Sequence, residues 1–408
     1  MFLPWSPKTE APFSQRISII RQFFEENDDL AWKFLYTLLP EQTTACGAFE
    51  KPKYLACKIE EQNSISDTYW EESDAYLELA IEKGANNKER LLTLQEFLDK
   101  VPEDTFYKIL AVLETTCSNY ADEDRYVFWN KLQSLLCKHR QFPDADWAMP
   151  EEALAAIELL AGKIAPKDQR IRIRRLFQNG TYDILPERYH SHVEKETVLS
   201  TMRLEELNWC YQAYGLESLV CCVESFESVR SVGSLLAKLN FTGECDGNIY
   251  AWLTSSHDKR KALAKEYLQE RFRTCGISWL RTQVEGHSQE EIAMLLGSIP
   301  LTQESMCLAE QLLTDQLEEY WKQVPVWGLE DNTNADYIIQ RMLQHERQSD
   351  ALALIDVMHD AGHFFAGETI FETLKALASV QHNNIVQHDA YTVVSLIEWL
   401  QKTGMMKE

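Results

Sequence analysis

The sequence predicts an all-α protein built as an irregular αα-repeat solenoid of the HEAT, armadillo or TPR kind. Amphipathic spacing of apolar residues continues from Ser14 to Trp399. Pro or Gly interrupts it at intervals of roughly 10–25 residues, which suits short helices paired into hairpins. No run alternates apolar and polar residues in the manner of a half-buried strand.

The first block covers residues 14–39: Ile17, Ile20, Phe23 and Phe24 share one face, and Leu30, Phe34, Leu35 and Leu38 resume after Asn27-Asp28-Asp29. Pro40 ends it, and residues 41–66, without periodicity, read as a loop packed on the array. From Asp67 the beat is regular. Leu77, Ala80 and Ile81 stop at Gly84, and Leu91, Leu94, Leu98 and Val101 follow. Pro102-Glu103-Asp104 opens the next helix, with proline and acids where a first turn favours them. Val127, Phe128, Leu132 and Leu136 mark another helix, and Pro150-Glu151-Glu152 starts one faced by Leu154, Ile157, Leu160 and Ile164. Breaks are then expected at Pro166, Pro186, Gly215, Gly233, Gly243/Gly247, Gly276, Gly286, Pro300 and Pro325. Two or three closing helices end on Val393, Leu396, Ile397 and Leu400. The expected division is an N-terminal cap with its loop at 1–66, a repeat array at 67–330 and a C-terminal cap at 331–408.

The chain carries 40 Lys and Arg against 64 Asp and Glu, a net charge of −24. Nucleic-acid binding depends on a basic face, so this balance argues against it; it fits a basic protein partner, or a chain that is merely well solvated. Ten cysteines in 408 residues fall short of a disulfide scaffold, and Cys137 sits at an apolar helix position. The opening MFLPWSPKTE lacks a basic segment followed by an apolar one, and no apolar run reaches membrane-spanning length. A cytoplasmic location is the expectation.

Motifs for the common nucleotide- and zinc-dependent chemistries do not occur. Gly162-Lys163 lacks the spacing of a phosphate-binding loop, and there is no Gly-x-Ser-x-Gly, His-Glu-x-x-His or Cys-x-x-Cys. No cofactor is implied. Two constellations carry some chemistry. Asp356, His359 and His363 place two histidines four apart, a spacing that presents both imidazoles to one metal if the helix continues; Gly362 argues that it ends there, where His is an ordinary residue. Arg170, Arg172, Arg174 and Arg175 could grip phosphate or an acidic partner, or else pair with carboxylates of the chain itself; they do not form one stripe on a helix. Vicinal Cys221-Cys222 reads as apolar packing, and the tryptophans, spread over every segment, as inter-helix packing.

Three stretches carry a resemblance: Phe2-Leu3-Pro4-Trp5 with Leu38-Leu39-Pro40; His139-Arg140-Gln141-Phe142-Pro143-Asp144-Ala145-Asp146-Trp147-Ala148-Met149-Pro150-Glu151-Glu152; and Glu319-Tyr320-Trp321-Lys322-Gln323-Val324-Pro325. They resemble the helical C-terminal region of large bacterial multidomain proteins, some of them STAND-type or SIR2-linked anti-phage defence proteins. In those proteins the catalytic or nucleotide-binding module precedes the helices. The resemblance therefore implies a fragment or a separately encoded sensor subunit, and it transfers no catalytic residue. In the most distinctive stretch, Trp147 is expected to plug the loop between repeats, with Asp144 and Asp146 capping the helix at Pro150.

The expected function is a non-enzymatic scaffold or sensor that binds a protein partner, an effector subunit or a phage or host protein. The alternative is a metal-dependent hydrolase or nuclease assembled from dispersed Asp and His residues. A third reading is a nucleic-acid-binding repeat protein that uses the arginine run.

Overall fold

The structure, a computed structural model, describes residues 2–4, 9, 11–39, 69–178, 184–189, 191–326, 334–360, 362–363, 365–379, 387–402 and 404. The expected loop at 41–66, Trp5, Pro40 and Trp327 lie outside the described residues. Among the described residues the chain forms nineteen α-helices and no strand, as the periodicity predicts. Among the described residues no helix is long and apolar enough to cross a membrane. Contacts divide the chain into two compact units, Met1–Leu176 with Gly180–Glu196, and Phe177–Asn179 with Thr197–Glu408.

The first unit holds α1 (Phe13–Glu26), α2 (Asp28–Tyr36), α3 (Tyr69–Gly84), α4 (Lys88–Gln95), α5 (Glu103–Cys117), α6 (Asp122–Gln141), α7 (Glu151–Ile164) and α8 (Gln169–Arg172), which runs into a 3₁₀ turn at Ile173–Phe177. Asn27 stops α1 and accepts the Leu30 N–H to start α2, so the acidic break in the sequence is a helix cap. Phe106, Ile109, Leu113 and Cys117 of α5 and Leu154, Ile157, Leu160 and Ile164 of α7 join one core, each set at three- and four-residue spacing. Helices contact the next in sequence and the next but one: α3 packs on α4 and α5, α5 on α6 and α7. Ion pairs repeat the second step. Arg21–Glu82 joins α1 to α3, Glu78–Lys108 joins α3 to α5, and Glu114–Lys163 joins α5 to α7. Asp28–Arg90 and Glu96–Lys131 do the same for α2, α4 and α6. Beneath them, Arg16 and Glu72 pair in the interior between α1 and α3.

The second unit is built from α9 (His192–Val223) from Thr197 onward, α10 (Val229–Leu236), α11 (Thr242–Leu253), α12 (Asp258–Val284), α13 (Gln289–Leu296), α14 (Gln303–Leu312), α15 (Leu317–Gln323), α16 (Ala335–Gln344), α17 (Gln348–Asp360), α18 (Gly367–Ser379) and α19 (Gln387–Lys402). The breaks expected at Gly215 and Gly276 are sharp kinks inside α9 and α12. Their φ/ψ values of 77°/172° and 68°/−164° fall in a region that a Cβ makes costly. The sequences after the kinks correspond: Gly215-Leu216, Leu219 and Val223-Glu224 against Gly276-Ile277, Leu280 and Val284-Glu285.

Gly233, Gly243 and Gly247 correct the sequence reading, because they lie within α10 and α11 rather than between helices. At Gly233 the reason is packing. A Cβ there would meet the Leu263 carbonyl oxygen at 2.6 Å and the Tyr267 nitrogen at 2.9 Å, so its absence lets α10 lie against the backbone of α12. The C-terminal part forms four helices, α16–α19, where two or three were expected.

One local structure recurs in both units. After α2, α4, α10 and α13, two successive N–H groups bond three residues back: Leu38 and Leu39, Phe97 and Leu98, Lys238 and Leu239, Ser298 and Ile299. Each run closes on an aliphatic residue, and Asn27, Asn87 and Ser288 cap three of the four helices at the other end.

Candidate functional site

The site is the connection between α6 and α7 together with the cleft beside it, all within the first unit. Helix α6 keeps its periodic apolar face to Leu136 and Cys137, and Phe142 then leaves the helix. The chain returns at Pro150, whose fixed φ suits a helix start. Between them the loop folds on itself: Ala145 N–H donates to the Phe142 carbonyl at 3.2 Å and Ala148 N–H to that of Ala145 at 2.8 Å. The Gln141 amide donates to the Leu185 carbonyl, which ties the helix end to the chain beyond the arginine run.

Trp147 does not plug a gap between helices: it is 46% exposed, and neighbouring Phe142 is 41% exposed. Their rings stand 5.8 Å apart. Cations lie over both, Lys138 Nζ 5.1 Å from the Trp147 centroid and the Arg188 guanidinium 5.4 Å from that of Phe142. Nor do Asp144 and Asp146 cap α7, which has no side-chain cap and draws its acids from Glu151 and Glu152.

His139 does the anchoring. It is 1% exposed, and its ring packs edge-on against Trp147 at 5.2 Å. Its Nδ1 accepts the Met149 N–H at 3.1 Å, so in the neutral imidazole the proton sits on Nε2, which lies 3.5 Å from Asp99 Oδ2. Burial lowers the His139 pKa, and the Lys138 charge adds to this while Asp99 opposes it. Burial would raise Asp99, but the Lys138 hydrogen bond and the Lys138, His139 and Lys100 charges outweigh it and hold the carboxyl below its usual value. The result is a neutral imidazole between an ionised carboxylate and the loop backbone.

Next to this anchor is an open cleft of roughly 330 Å³ lined by Gln95, Glu96, Asp99, Lys100, Lys131, Ser134, Leu135 and Lys138. Lys131 pairs with Glu96, and Lys138 with Asp99 at 2.9 Å. Lys138 therefore belongs to both features, lining the cleft and covering Trp147.

The arginines singled out from the sequence are brought close together, but they turn to different partners. Arg170 folds back onto Asp168, whose carboxylate also caps α8. Arg174 clasps both oxygens of Glu123 at 2.6 and 2.8 Å. Arg175 is buried and donates to the Asn130 carbonyl and side chain and to Ser134 Oγ at 2.6–3.1 Å. Arg172 is half-buried and makes no ion pair among the described residues.

Asp356, His359 and His363 lie at the end of α17 and beyond it. Gly362 adopts φ 89°, its N–H bonds to the His359 carbonyl, and the His363 N–H bonds to that of Met358, both at 2.9 Å. This left-handed cap turns the chain out of the helix between the two histidines, so no single helix presents them four residues apart. His359 packs edge-on against Trp399. Among the described residues no group of three or more His, Cys, Asp or Glu side chains is arranged to hold a metal ion. Cys222 is buried as expected, whereas Cys221 is exposed beside Arg260 and Glu217.

Comparison with protein-family models, curated proteins and solved structures gives no match to this chain.

Proposed function

We propose that the chain is a non-enzymatic helical-repeat scaffold or sensor module that binds a protein partner through the Phe142–Trp147 loop. The repeat reading is supported by the helix contacts to the next and next-but-one neighbour, the four matching helix ends and the two kinks at Gly215 and Gly276. The binding reading is carried by one observation: two large aromatic rings are exposed side by side on a loop that a buried histidine holds in place. Exposed aromatics with nearby cations have the composition of binding hot spots, and a pre-ordered loop loses little freedom on association. The bacterial anti-phage setting rests on the three stretches that resemble large bacterial multidomain proteins, some of them defence proteins. There the chain would be the sensor or scaffold, and any catalysis would belong to another domain or subunit.

Affinity capture of the tagged chain from bacterial cells, with and without phage infection, tests this. A partner at near-stoichiometric yield that is lost with Trp147→Ala is the expected result. A chain that captures nothing under either condition contradicts it.

A further inference from the structure

Building on that reading of the loop, we infer the chemistry of the partner: an extended segment carrying an Asp or Glu close to a large apolar side chain. The acid enters the lysine-lined cleft and the apolar group covers Trp147. Two observations converge on this. The cleft brings together Lys100, Lys131 and Lys138 with only two carboxylates, Glu96 and Asp99, whereas acids outnumber bases 64 to 40 in the whole chain. Lys138 ties the two halves of the site together, with its Nζ 2.9 Å from Asp99 and 5.1 Å from the Trp147 ring.

An entering carboxylate exchanges with Glu96 or Asp99 for its lysine. The loop's own acids set the limit. Asp144 and Asp146 are exposed on the same loop as Trp147, so they disfavour a uniformly acidic chain. The partner is therefore a mixed acidic–apolar segment and not a polyanion such as nucleic acid.

The test is to pan a phage-displayed library of random dodecapeptides on the full chain, then titrate one enriched synthetic peptide by calorimetry. Enriched peptides are expected to pair an acid with an aromatic or large aliphatic residue. Their affinity is expected to fall about tenfold or more in Trp147→Ala and in Lys138→Glu. A peptide with its acid changed to Lys should regain affinity for Lys138→Glu, and Lys131→Glu gives an independent check if the first variant folds poorly. No enrichment, enriched peptides without acids, affinity indifferent to both variants, or displacement by poly-glutamate or single-stranded DNA would each overturn the inference. If the panning fails while the cellular partner is still captured and still depends on Trp147, the scaffold reading stands and only the acidic–apolar assignment falls.

Discussion

Arg175 and Trp147 belong to the same unit and both contact α6, yet their surroundings are opposite. The Arg175 guanidinium is buried and bonded to Asn130 and Ser134, so its charge is used in holding α6 to the 3₁₀ turn. The Trp147 indole is almost half exposed, on a loop fixed from below by His139. A charged residue can thus be part of the interior while an aromatic one faces solvent. What separates the two is where each side chain's partners lie, and this decides which substitution should affect folding and which should affect binding.

The largest expected effect is on the buried side. Arg175→Ala leaves the Asn130 and Ser134 oxygens without their donor and should cost about 3 kcal/mol in urea unfolding. Peptide or partner affinity of the folded fraction should hardly change. His139→Ala comes next: it removes the acceptor of the Met149 N–H and the ring beneath Trp147, for about 2 kcal/mol of stability and weakened binding together. Affinity that survives this change would show that the loop needs no anchor.

The same residue makes a prediction about pH. Burial holds His139 below its ordinary pKa, so the unfolded chain takes up a proton first as pH falls past about 6.5, and stability declines on the acid side. Below the ordinary carboxylate range, Asp99 adds a further loss in the same direction. His345 is shifted likewise by burial and Arg341, so His139→Gln should flatten the decline between pH 7 and 5 only in part; an unaltered slope would remove His139 from it.

Trp147→Ala should cost no more than about 1 kcal/mol of stability, because the ring is almost half exposed, while weakening binding about tenfold. The smallest effect belongs to Arg170→Ala. It removes a local pair with Asp168 that is partly solvent-exposed, and unfolding should shift by less than about 0.5 kcal/mol. A large drop in affinity in that variant would return the arginine run to the binding surface.

Much of this architecture was legible in the residues, because helices announce themselves locally. Pro102, Glu103 and Asp104 start α5 where the sequence places a first turn, and Gly215 and Gly276 break helices because of their backbone freedom. Gly233 misled for the opposite reason: the surface that needs its missing Cβ is α12, about thirty residues away and invisible to local spacing. The site was legible only as a distinctive loop. That His139 holds it depends on Met149 across the loop and on Asp99 from another helix connection, contacts that no periodicity encodes. Nor could the sequence show that Arg174 and Arg175 turn inward to α6, since Glu123 and Asn130 become their neighbours only on folding.

The most direct test of the central claim is a paired measurement on Trp147→Ala and Arg175→Ala: urea unfolding of each variant, and calorimetric titration of each with the same selected peptide. The account predicts a crossed result, in which Trp147→Ala keeps its stability and loses affinity while Arg175→Ala loses stability and keeps affinity. If Trp147→Ala unfolds as easily as Arg175→Ala, or binds as tightly as the unaltered chain, the loop is a packing element and the binding surface lies elsewhere.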